Sequence, residues 1–213
     1  MSWLYRGILF IAWCFFKILY RHKVYGYENF YPGAAIIAGN HSSYYDPPIL
    51  AISWPEEVHF LAREGLFKNP FFGGLIHKLN AHPVSGDASD IKVFKLICSL
   101  LGEGKKIILF PEGQRGDVDE LGELKPGIAM LVARSKSAIV PAYIHGTFQI
   151  WNHFRKVPKL WGHTACVFGS PILWSEFAHL EKREAQKAIT DKLAESISAL
   201  RAWYEAGAKG TPP

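Results

Sequence analysis

Residues 34–50 read AAIIAGNHSSYYDPPIL, and the change of pattern within them decides the fold. The apolar run Ala34–Ala38 predicts a short buried strand. Asp46-Pro47-Pro48 then predicts the start of a helix that continues to about Ile52, because proline is tolerated in the first helical turn. A buried strand, a polar turn and a helix in this order indicate the first unit of an α/β domain.

The rest of the chain repeats this alternation. Further strands are predicted at 58–62, 106–110, 138–144 and 165–168, and further helices at 91–101, 126–135 and 176–204. The 213 residues are enough for one core. We therefore expect an α/β fold: a single domain with a mostly parallel mixed sheet flanked by helices. The expected segments are a membrane-associated helix at 1–24, the domain at 25–206 and a flexible tail at 207–213.

The N-terminal segment is apolar and aromatic. Between Trp3 and Tyr20 only Arg6 and Lys17 are charged, and the uninterrupted apolar stretch is ten residues long. A spanning helix needs about 20 apolar residues, and no small-residue cleavage site follows, as a signal peptide would require. Tryptophan and tyrosine favour the headgroup region of a bilayer. We expect a helix that lies in, or dips into, one leaflet; the alternative is a helix packed on the protein's own core.

Charge is concentrated at the two ends of the chain. Residues 1–30 and 155–213 each carry a net charge of +3, whereas 31–154 carry −1. Basic ends suit an anionic partner, either membrane lipid or nucleic acid, and the aromatic N-terminus favours lipid. With 49% hydrophobic residues the chain is not intrinsically disordered. The three cysteines are too far apart to indicate a disulfide framework or a zinc knuckle.

The predicted strand ends are unusually polar, and in open α/β sheets sites form at the carboxyl ends of strands. After the first strand come His41 and Asp46. The carboxylate would accept a hydrogen bond from one imidazole nitrogen and leave the other nitrogen free to take a proton. The position of Asp46 fits a plain helix N-cap equally well.

Two other strand ends carry features of their own. FPEGQRG at 110–116 offers glycine backbone N–H groups that can hold an oxyanion or a phosphate, and Arg115 adds a planar donor fork suited to phosphate. A solvated turn is the alternative for this stretch. Pro141 lies inside a predicted strand, which requires an edge, a bulge or a strand end.

Four motifs occur in an order that is more specific than any one of them. They are NHSSYYDPP at 40–48, LAREGLFKNPFFGG at 61–74, FPEGQRG at 110–116 and LKPGIAMLVARSKSAIVPAYI at 124–144. Together they resemble the PlsC-type glycerolipid acyltransferase family, which includes 1-acylglycerol-3-phosphate acyltransferase, over roughly residues 15–175. Gln114 and Gly116 replace the usual Thr and Ser of the third motif. Ser85-Gly86-Asp87 stands where many members carry a basic residue.

The resemblance implies transfer of a fatty acyl chain from a thioester to the sn-2 hydroxyl of lysophosphatidic acid, giving phosphatidic acid. His41 would be the general base and Asp46 its orienting partner. The alternative is the same chemistry on glycerol 3-phosphate or another lysophospholipid. The residues expected to bind substrate are Ser43, Arg63, Glu112, Gly113, Arg115, Lys125 and Pro141.

The expected partners follow from the same resemblance. The donor would be acyl-coenzyme A or acyl-acyl carrier protein, with no tightly bound cofactor, no metal and no nucleic acid. Basic residues beside the N-terminal helix place the protein on the cytoplasmic leaflet. A metal hydrolase is disfavoured because no HxH or HExxH spacing occurs, and a non-catalytic lipid-binding protein because both His41 and Asp46 are retained. The sequence does not specify the oligomeric state.

Overall fold

The computed structural model describes residues 2–85 and 91–213, so Gly86 and Asp87 of the departure noted above lie outside it. The described residues form a seven-stranded sheet. Its strands are β1 (Lys23–Tyr25), β2 (Ala35–Gly39), β3 (Val58–Arg63), β4 (Ala81–Val84), β5 (Lys106–Leu109), β6 (Ala138–His145) and β7 (Ala165–Phe168).

The strands lie in the order β1-β7-β6-β2-β5-β3-β4. Neighbouring strands are parallel throughout, except that β6 and β7 are antiparallel. The structure thus confirms the predicted mostly parallel mixed sheet. It adds the edge strands β1 and β4, whose three and four residues are too few to show a hydrophobic period.

Helices cover both faces of the sheet. They are α1 (Trp3–Tyr20), α2 (Asp46–Ser53), α3 (Pro70–Lys78), α4 (Ile91–Gly102), α5 (Gly127–Ser135), α6 (Thr147–Trp151) and α7 (Lys182–Glu205). On β2, Ile36 and Ala38 face the layer of α4, α5 and α7, whereas Ala35 and Ile37 face the layer of α1, α2 and α6. Burial on both faces explains why this strand is an uninterrupted apolar run.

The N-terminal helix is partly integrated into the domain. Tyr5, Phe16 and Tyr20 point into the core, and the Tyr5 hydroxyl accepts a hydrogen bond from the Val58 N–H at 3.1 Å. The expected boundary between residues 24 and 25 falls inside β1.

The last helix and the residues after it also lie against the domain. The helix expected from residue 176 begins at Lys182, because Trp174–Glu176 form a separate 3-10 turn. Residues 207–213, expected as a flexible tail, make contacts within the structure. The Trp203 indole donates to the Lys209 carbonyl at 3.0 Å, and the Ser170 N–H to that of Pro213 at 3.2 Å.

Pro141 lies where the pairing of β6 with the next segment changes register. Ala142 pairs with Phe168, whereas Ile139 pairs with Ile172, so the second strand holds one more residue than β6 between the two pairs. The Pro141 carbonyl accepts from the Gly169 N–H at 2.9 Å within this interval. The proline therefore lies opposite a bulge in the partner segment, and a bulge is one of the three settings that its place in a strand required.

Candidate active site

The carboxyl ends of β2 and β5 bring the two main polar motifs together. His41 is the second residue after β2, and Asp46 is the first residue of α2. The imidazole Nδ1 lies 2.9 Å from Asp46 Oδ2. The carboxylate is fully buried, whereas about 12% of the imidazole surface is exposed. This geometry joins a reachable imidazole to a carboxylate that solvent does not reach.

Asp46 also organises the turn that carries His41. Its Oδ2 accepts hydrogen bonds from the backbone N–H groups of Ser42 and Ser43, both at 2.7 Å. Its position at the start of α2 adds the favourable interaction of a negative charge with a helix N-terminus. Tyr45, and not Asp46, stands at the N-cap of α2, and no side-chain hydrogen bond caps the helix there. The plain N-cap interpretation is therefore wrong: the hydrogen-bond partners of the carboxylate are His41 and the turn that precedes the helix.

Asn40 holds the turn against the neighbouring strand. Its side-chain amide donates to the Ile144 carbonyl at 3.0 Å and accepts from the Ile144 N–H at 2.7 Å. An amide that satisfies both groups of one β6 residue in this way replaces a strand neighbour. These two hydrogen bonds fix the path of the backbone after β2, and thereby the position of the next residue, His41.

The β5 end supplies the other walls around His41. The Phe110 ring stacks on the imidazole with centroids 3.9 Å apart. Glu112 Oε1 accepts from the His41 backbone N–H at 2.7 Å, and its Oε2 accepts from the Gly122 N–H at 3.1 Å. Burial raises the pKa of Glu112, and the hydrogen bonds from His41 and Gly122 oppose that rise. Both carboxylate oxygens are thus used to hold backbone.

The 110–116 turn is built around a left-handed glycine. Gly113 has φ +75°, and a Cβ there would lie 2.8 Å from the Lys125 ammonium. Its N–H donates to the Phe110 carbonyl at 3.0 Å, and the Gly116 N–H donates to the His41 carbonyl at 2.8 Å. The two motifs are therefore joined by backbone as well as by side chains.

Arg115 stacks on the first motif. Its guanidinium carbon lies 4.1 Å from the centre of the Tyr44 ring, and its buried Nε has no hydrogen-bond partner among the described residues. A stacked guanidinium with unused donors suits a bidentate contact with a phosphate or a carboxylate. Tyr44 in turn contacts the Trp151 ring, with centroids 4.9 Å apart.

The remaining predicted residues fall at different distances from this centre. The buried Ser43 hydroxyl donates to the Trp151 carbonyl at 2.7 Å and accepts from the Tyr45 N–H at 3.1 Å. Lys125 packs against Gly113 and bonds through its backbone N–H to the Pro111 carbonyl. Arg63 is exposed at the carboxyl end of β3, and Pro141 is buried in β6.

Sequence reasoning did not single out Asn40, Tyr44, Phe110, Gly122 or Trp151 as part of the site. The first three lie inside the motifs already quoted, so their position was available but their contacts were not. Gly122 and Trp151 lie outside those motifs and reach the site through hydrogen bonds to Glu112 and Ser43. Nothing in the local sequence distinguishes such residues.

Outside the centre, α1 presents much of its apolar surface to solvent. Ile11 is 70% exposed, and other large exposed side chains of the helix are Trp3, Leu4, Phe10, Trp13, Phe15 and Ile18. By length and composition alone this helix is long and apolar enough to cross a membrane. Within residues 2–85 and 91–213, His, Cys, Asp and Glu form no group of three or more that could hold a metal ion.

Comparison with known proteins places these motifs in context. Residues 21–145 match the family model described as Acyltransferase. Over 180 residues, covering 84% of this chain and 87% of the relative, the sequence is 31% identical to a 1-acyl-sn-glycerol-3-phosphate acyltransferase of Bacillus subtilis strain 168. It is 29% identical to the chloroplastic 1-acyl-sn-glycerol-3-phosphate acyltransferase LPAT1 of Arabidopsis thaliana, over 82% of this chain and 49% of that protein.

The fold has a solved counterpart. The crystal structure of the 1-acyl-sn-glycerophosphate (LPA) acyltransferase PlsC from Thermotoga maritima superposes with a TM-score of 0.74. The match covers 93% of this chain and 81% of the other at 22% sequence identity. At that identity, the similarity shows a shared fold.

Proposed function

The chain belongs to the Acyltransferase family, and from that premise we propose that it acylates the sn-2 hydroxyl of lysophosphatidic acid with a fatty acyl thioester, giving phosphatidic acid. The observation that carries the proposal is the contact between the partly exposed His41 imidazole and the buried Asp46 carboxylate, at 2.9 Å. The names of the relatives in Bacillus subtilis and Arabidopsis thaliana support lysophosphatidic acid as the acceptor.

His41 acts as the general base in this proposal. An ionised Asp46 only accepts hydrogen bonds, so Nδ1 must carry the proton between the two groups. Nε2 then has a free lone pair, and it forms no hydrogen bond with the part of the chain that the structure describes. It takes the proton of the acceptor hydroxyl as the oxygen attacks the thioester carbonyl. A base positioned in this way contributes typically 10²–10⁴ in rate.

The second half of the reaction returns that proton. The tetrahedral oxyanion collapses, the carbon–sulfur bond breaks, and the imidazolium protonates the leaving thiolate. The Gly113 N–H already donates to Phe110, so we assign the oxyanion to the following N–H groups of the same turn, at Gln114 and Arg115. Their backbone donates to no group within residues 2–85 and 91–213.

Arg115 is the proposed clamp for the acceptor's phosphate. Stacking on Tyr44 fixes the plane of the guanidinium and leaves its donors for a bidentate contact. Lys125, packed beside Gly113, and Arg63 at the end of β3 supply further positive charge at the same edge of the sheet. Pro141, opposite the bulge between Phe168 and Ile172, shapes the wall behind the turn.

For two residues we propose a positioning role in place of the expected contact with substrate. Both oxygens of Glu112 hold backbone N–H groups, and the Ser43 hydroxyl is used between Trp151 and Tyr45. Groups that are satisfied inside the protein have little left to offer a ligand. We infer that they fix the backbone on either side of His41.

The donor and the location complete the proposal. The donor is acyl-coenzyme A or acyl-acyl carrier protein, and the chemistry needs no tightly bound cofactor, because the acceptor hydroxyl attacks the thioester directly. The exposed apolar side chains of α1 seat the protein on a membrane. The basic residues that flank α1 favour its cytoplasmic leaflet.

A transfer assay with the purified, detergent-solubilised chain tests the proposal. Wild type and His41→Ala receive one labelled acyl thioester with lysophosphatidic acid, glycerol 3-phosphate or a zwitterionic lysophospholipid. We expect transfer to lysophosphatidic acid that falls by roughly 10²–10⁴ in the variant. Transfer to a different acceptor would show that the proposed acceptor is wrong. Undiminished transfer by His41→Ala would show that His41 is not the general base. No transfer from either kind of donor would refute the proposed activity.

A further inference from the structure

The segment between α6 and β7 exposes an unusual set of side chains. We call residues 153–161, HFRKVPKLW, the basic-aromatic loop. Trp161 and Leu160 are 68% and 69% exposed, and Phe154 and Val157 are exposed to a similar degree. Arg155, Lys156 and Lys159 are exposed between them. Large apolar side chains grouped on a surface mark an interaction site.

The basic-aromatic loop is fastened to the end of α1. The Tyr20 hydroxyl donates to the Lys159 carbonyl at 2.8 Å, and the Gly162 N–H donates to the Leu19 carbonyl at 3.4 Å. On the far side of the loop, Arg21 Nη1 lies 3.2 Å from His163 Nε2. The exposed apolar side chains of the loop therefore lie beside α1, which exposes apolar side chains of its own.

The same loop begins at the wall of the active site. The backbone carbonyl of Trp151, the last residue of α6, accepts hydrogen bonds from the Ser43 hydroxyl and the Tyr44 N–H. A cleft of about 410 Å³ opens there, lined by Tyr44, Trp151, His153, Phe154, Arg155 and Lys156. An amphiphile that approaches Arg115 across Tyr44 would pass this cleft.

Charge identifies the partner. Residues 1–23 and 152–163 contain seven Lys and Arg residues and no Asp or Glu. Asp117 is the carboxylate that contacts the loop among the described residues, at 3.2 Å from His153 Nε2. Cations interleaved with tryptophan, phenylalanine and leucine fit a bilayer surface that carries anionic lipid.

We propose that the basic-aromatic loop is a second membrane-contacting element, which binds anionic phospholipid headgroups next to the active site. It works with α1 to seat the mouth of the site on the bilayer. The inference rests on the proposed function only in placing that site at a lipid surface.

Vesicle titration of the full chain tests this inference. The detergent-solubilised protein is diluted into vesicles until the detergent is below its critical micelle concentration. The vesicles contain phosphatidylcholine, alone or with roughly a third phosphatidylglycerol. Replacing Arg155, Lys156 and Lys159 with Gln should lower the partition coefficient for anionic vesicles on the order of tenfold or more. It should leave binding to neutral vesicles nearly unchanged. Binding of the variant to anionic vesicles at the wild-type level would overturn the proposal.

A matched control and a second readout separate the loop from other effects. Replacing Lys182, Arg183 and Lys192 with Gln removes the same charge from the exposed face of α7 and should not alter partitioning; an equal loss would also overturn the proposal. Hydrogen exchange of wild type should show protection of 153–161 on anionic vesicles, and its absence would argue against contact. Transfer by wild type in detergent tests the proposed function separately, so failure of either idea is recognisable.

Discussion

At the scale of single residues, one oxygen atom, Asp46 Oδ2, contacts His41 Nδ1 and the backbone N–H groups of Ser42 and Ser43. In Asp46→Asn the side chain can still accept from the Ser42 and Ser43 N–H groups, but it no longer fixes the proton on Nδ1 by charge. We expect kcat to fall roughly 10²–10⁴-fold with little change in KM for the acceptor. Steady-state kinetics with varied acceptor measure both parameters.

Non-additivity provides the control for that experiment. If the two residues act as a unit, combining Asp46→Asn with His41→Ala should lower kcat no further than His41→Ala alone. Independent, multiplicative losses would show that Asp46 acts elsewhere, for example only as the N-terminal partner of α2.

Glu112 gives a second prediction at this scale. In Glu112→Gln one of the two backbone N–H groups faces an amide NH₂ in place of an oxygen, so a buried donor loses its acceptor. We expect about 1–3 kcal/mol less free energy of unfolding and a lower kcat, with acceptor KM unchanged. A raised KM at normal kcat would instead indicate that Glu112 contacts the acceptor.

The pairing of His41 with Asp46 could be predicted from sequence, since only four residues separate the two across one turn at a strand end. The task of Glu112 could not. Its two partners, His41 and Gly122, are 71 and 10 residues away along the chain, and only the strand order places the β2 and β5 ends side by side. Long-range hydrogen bonds to backbone leave no pattern in the side-chain sequence.

At the scale of elements, glycines with positive φ differ in the space that their surroundings leave for a Cβ atom. Gly146, before α6, has φ +83°, and a Cβ there would lie 1.9 Å from the His163 carbonyl oxygen. Gly104 has φ +78° with open space around it. We expect Gly104→Ala to cost about 1–2 kcal/mol, the ordinary penalty of the left-handed conformation, and Gly146→Ala clearly more. Thermal unfolding of both variants measures the difference, and equal losses would show that the 146–163 contact can give way.

His22 joins three elements and makes stability depend on pH. Its ring nitrogens lie 2.9 Å from the Thr164 and Ser53 hydroxyls, and burial, followed by the charge of Lys17, lowers its pKa to about 4. Below pH ~6.5 the unfolded chain takes up a proton that the folded chain refuses. The contribution of neutral His22 to the free energy of unfolding is therefore fully present above that pH. It is lost as the pH falls toward 4, by about 3 kcal/mol in total.

Unfolding curves at pH 7, 6, 5 and 4 check this dependence. Burial also lowers the pKa of His59, His82 and His145, so the wild-type slope has several contributors. His22→Gln should remove about one proton from it. A slope that survives in His22→Gln would place the proton uptake elsewhere.

The central elements were predictable because they are buried on both sides. AAIIA and the IILF of KIILF are continuous apolar runs, as strands between two helical layers must be. The edge strands β1 and β4 were not predictable, since Lys23 and Pro83 are untypical of strands and become extended only through pairing with β7 and β3. Tertiary context overrides local propensity at such positions.

At the scale of the whole molecule, α1 has two faces with different tasks. Phe16 and Tyr20 lie in the core, so their replacement would damage the fold, whereas Phe10 and Ile11 are 65% and 70% exposed. Replacing Phe10 and Ile11 with Ser should lower partitioning into phosphatidylcholine vesicles roughly 10²-fold, because two large apolar side chains no longer enter the bilayer. The thermal midpoint in detergent should stay close to that of wild type.

A control distinguishes the position of the lost apolar surface from its total area. Ile91 and Met130 are exposed apolar residues on the opposite helical layer, so replacing both with Ser should leave partitioning unchanged. If Phe10 and Ile11 could be replaced without loss of vesicle binding, the exposed face of α1 would not be the anchor. Loss in both double variants would mean that adsorption follows total exposed apolar surface. Loss confined to the α1 variant would show that the bilayer meets one side of the molecule, the side on which α1 ends beside Tyr45 and Trp151 at the wall of the site.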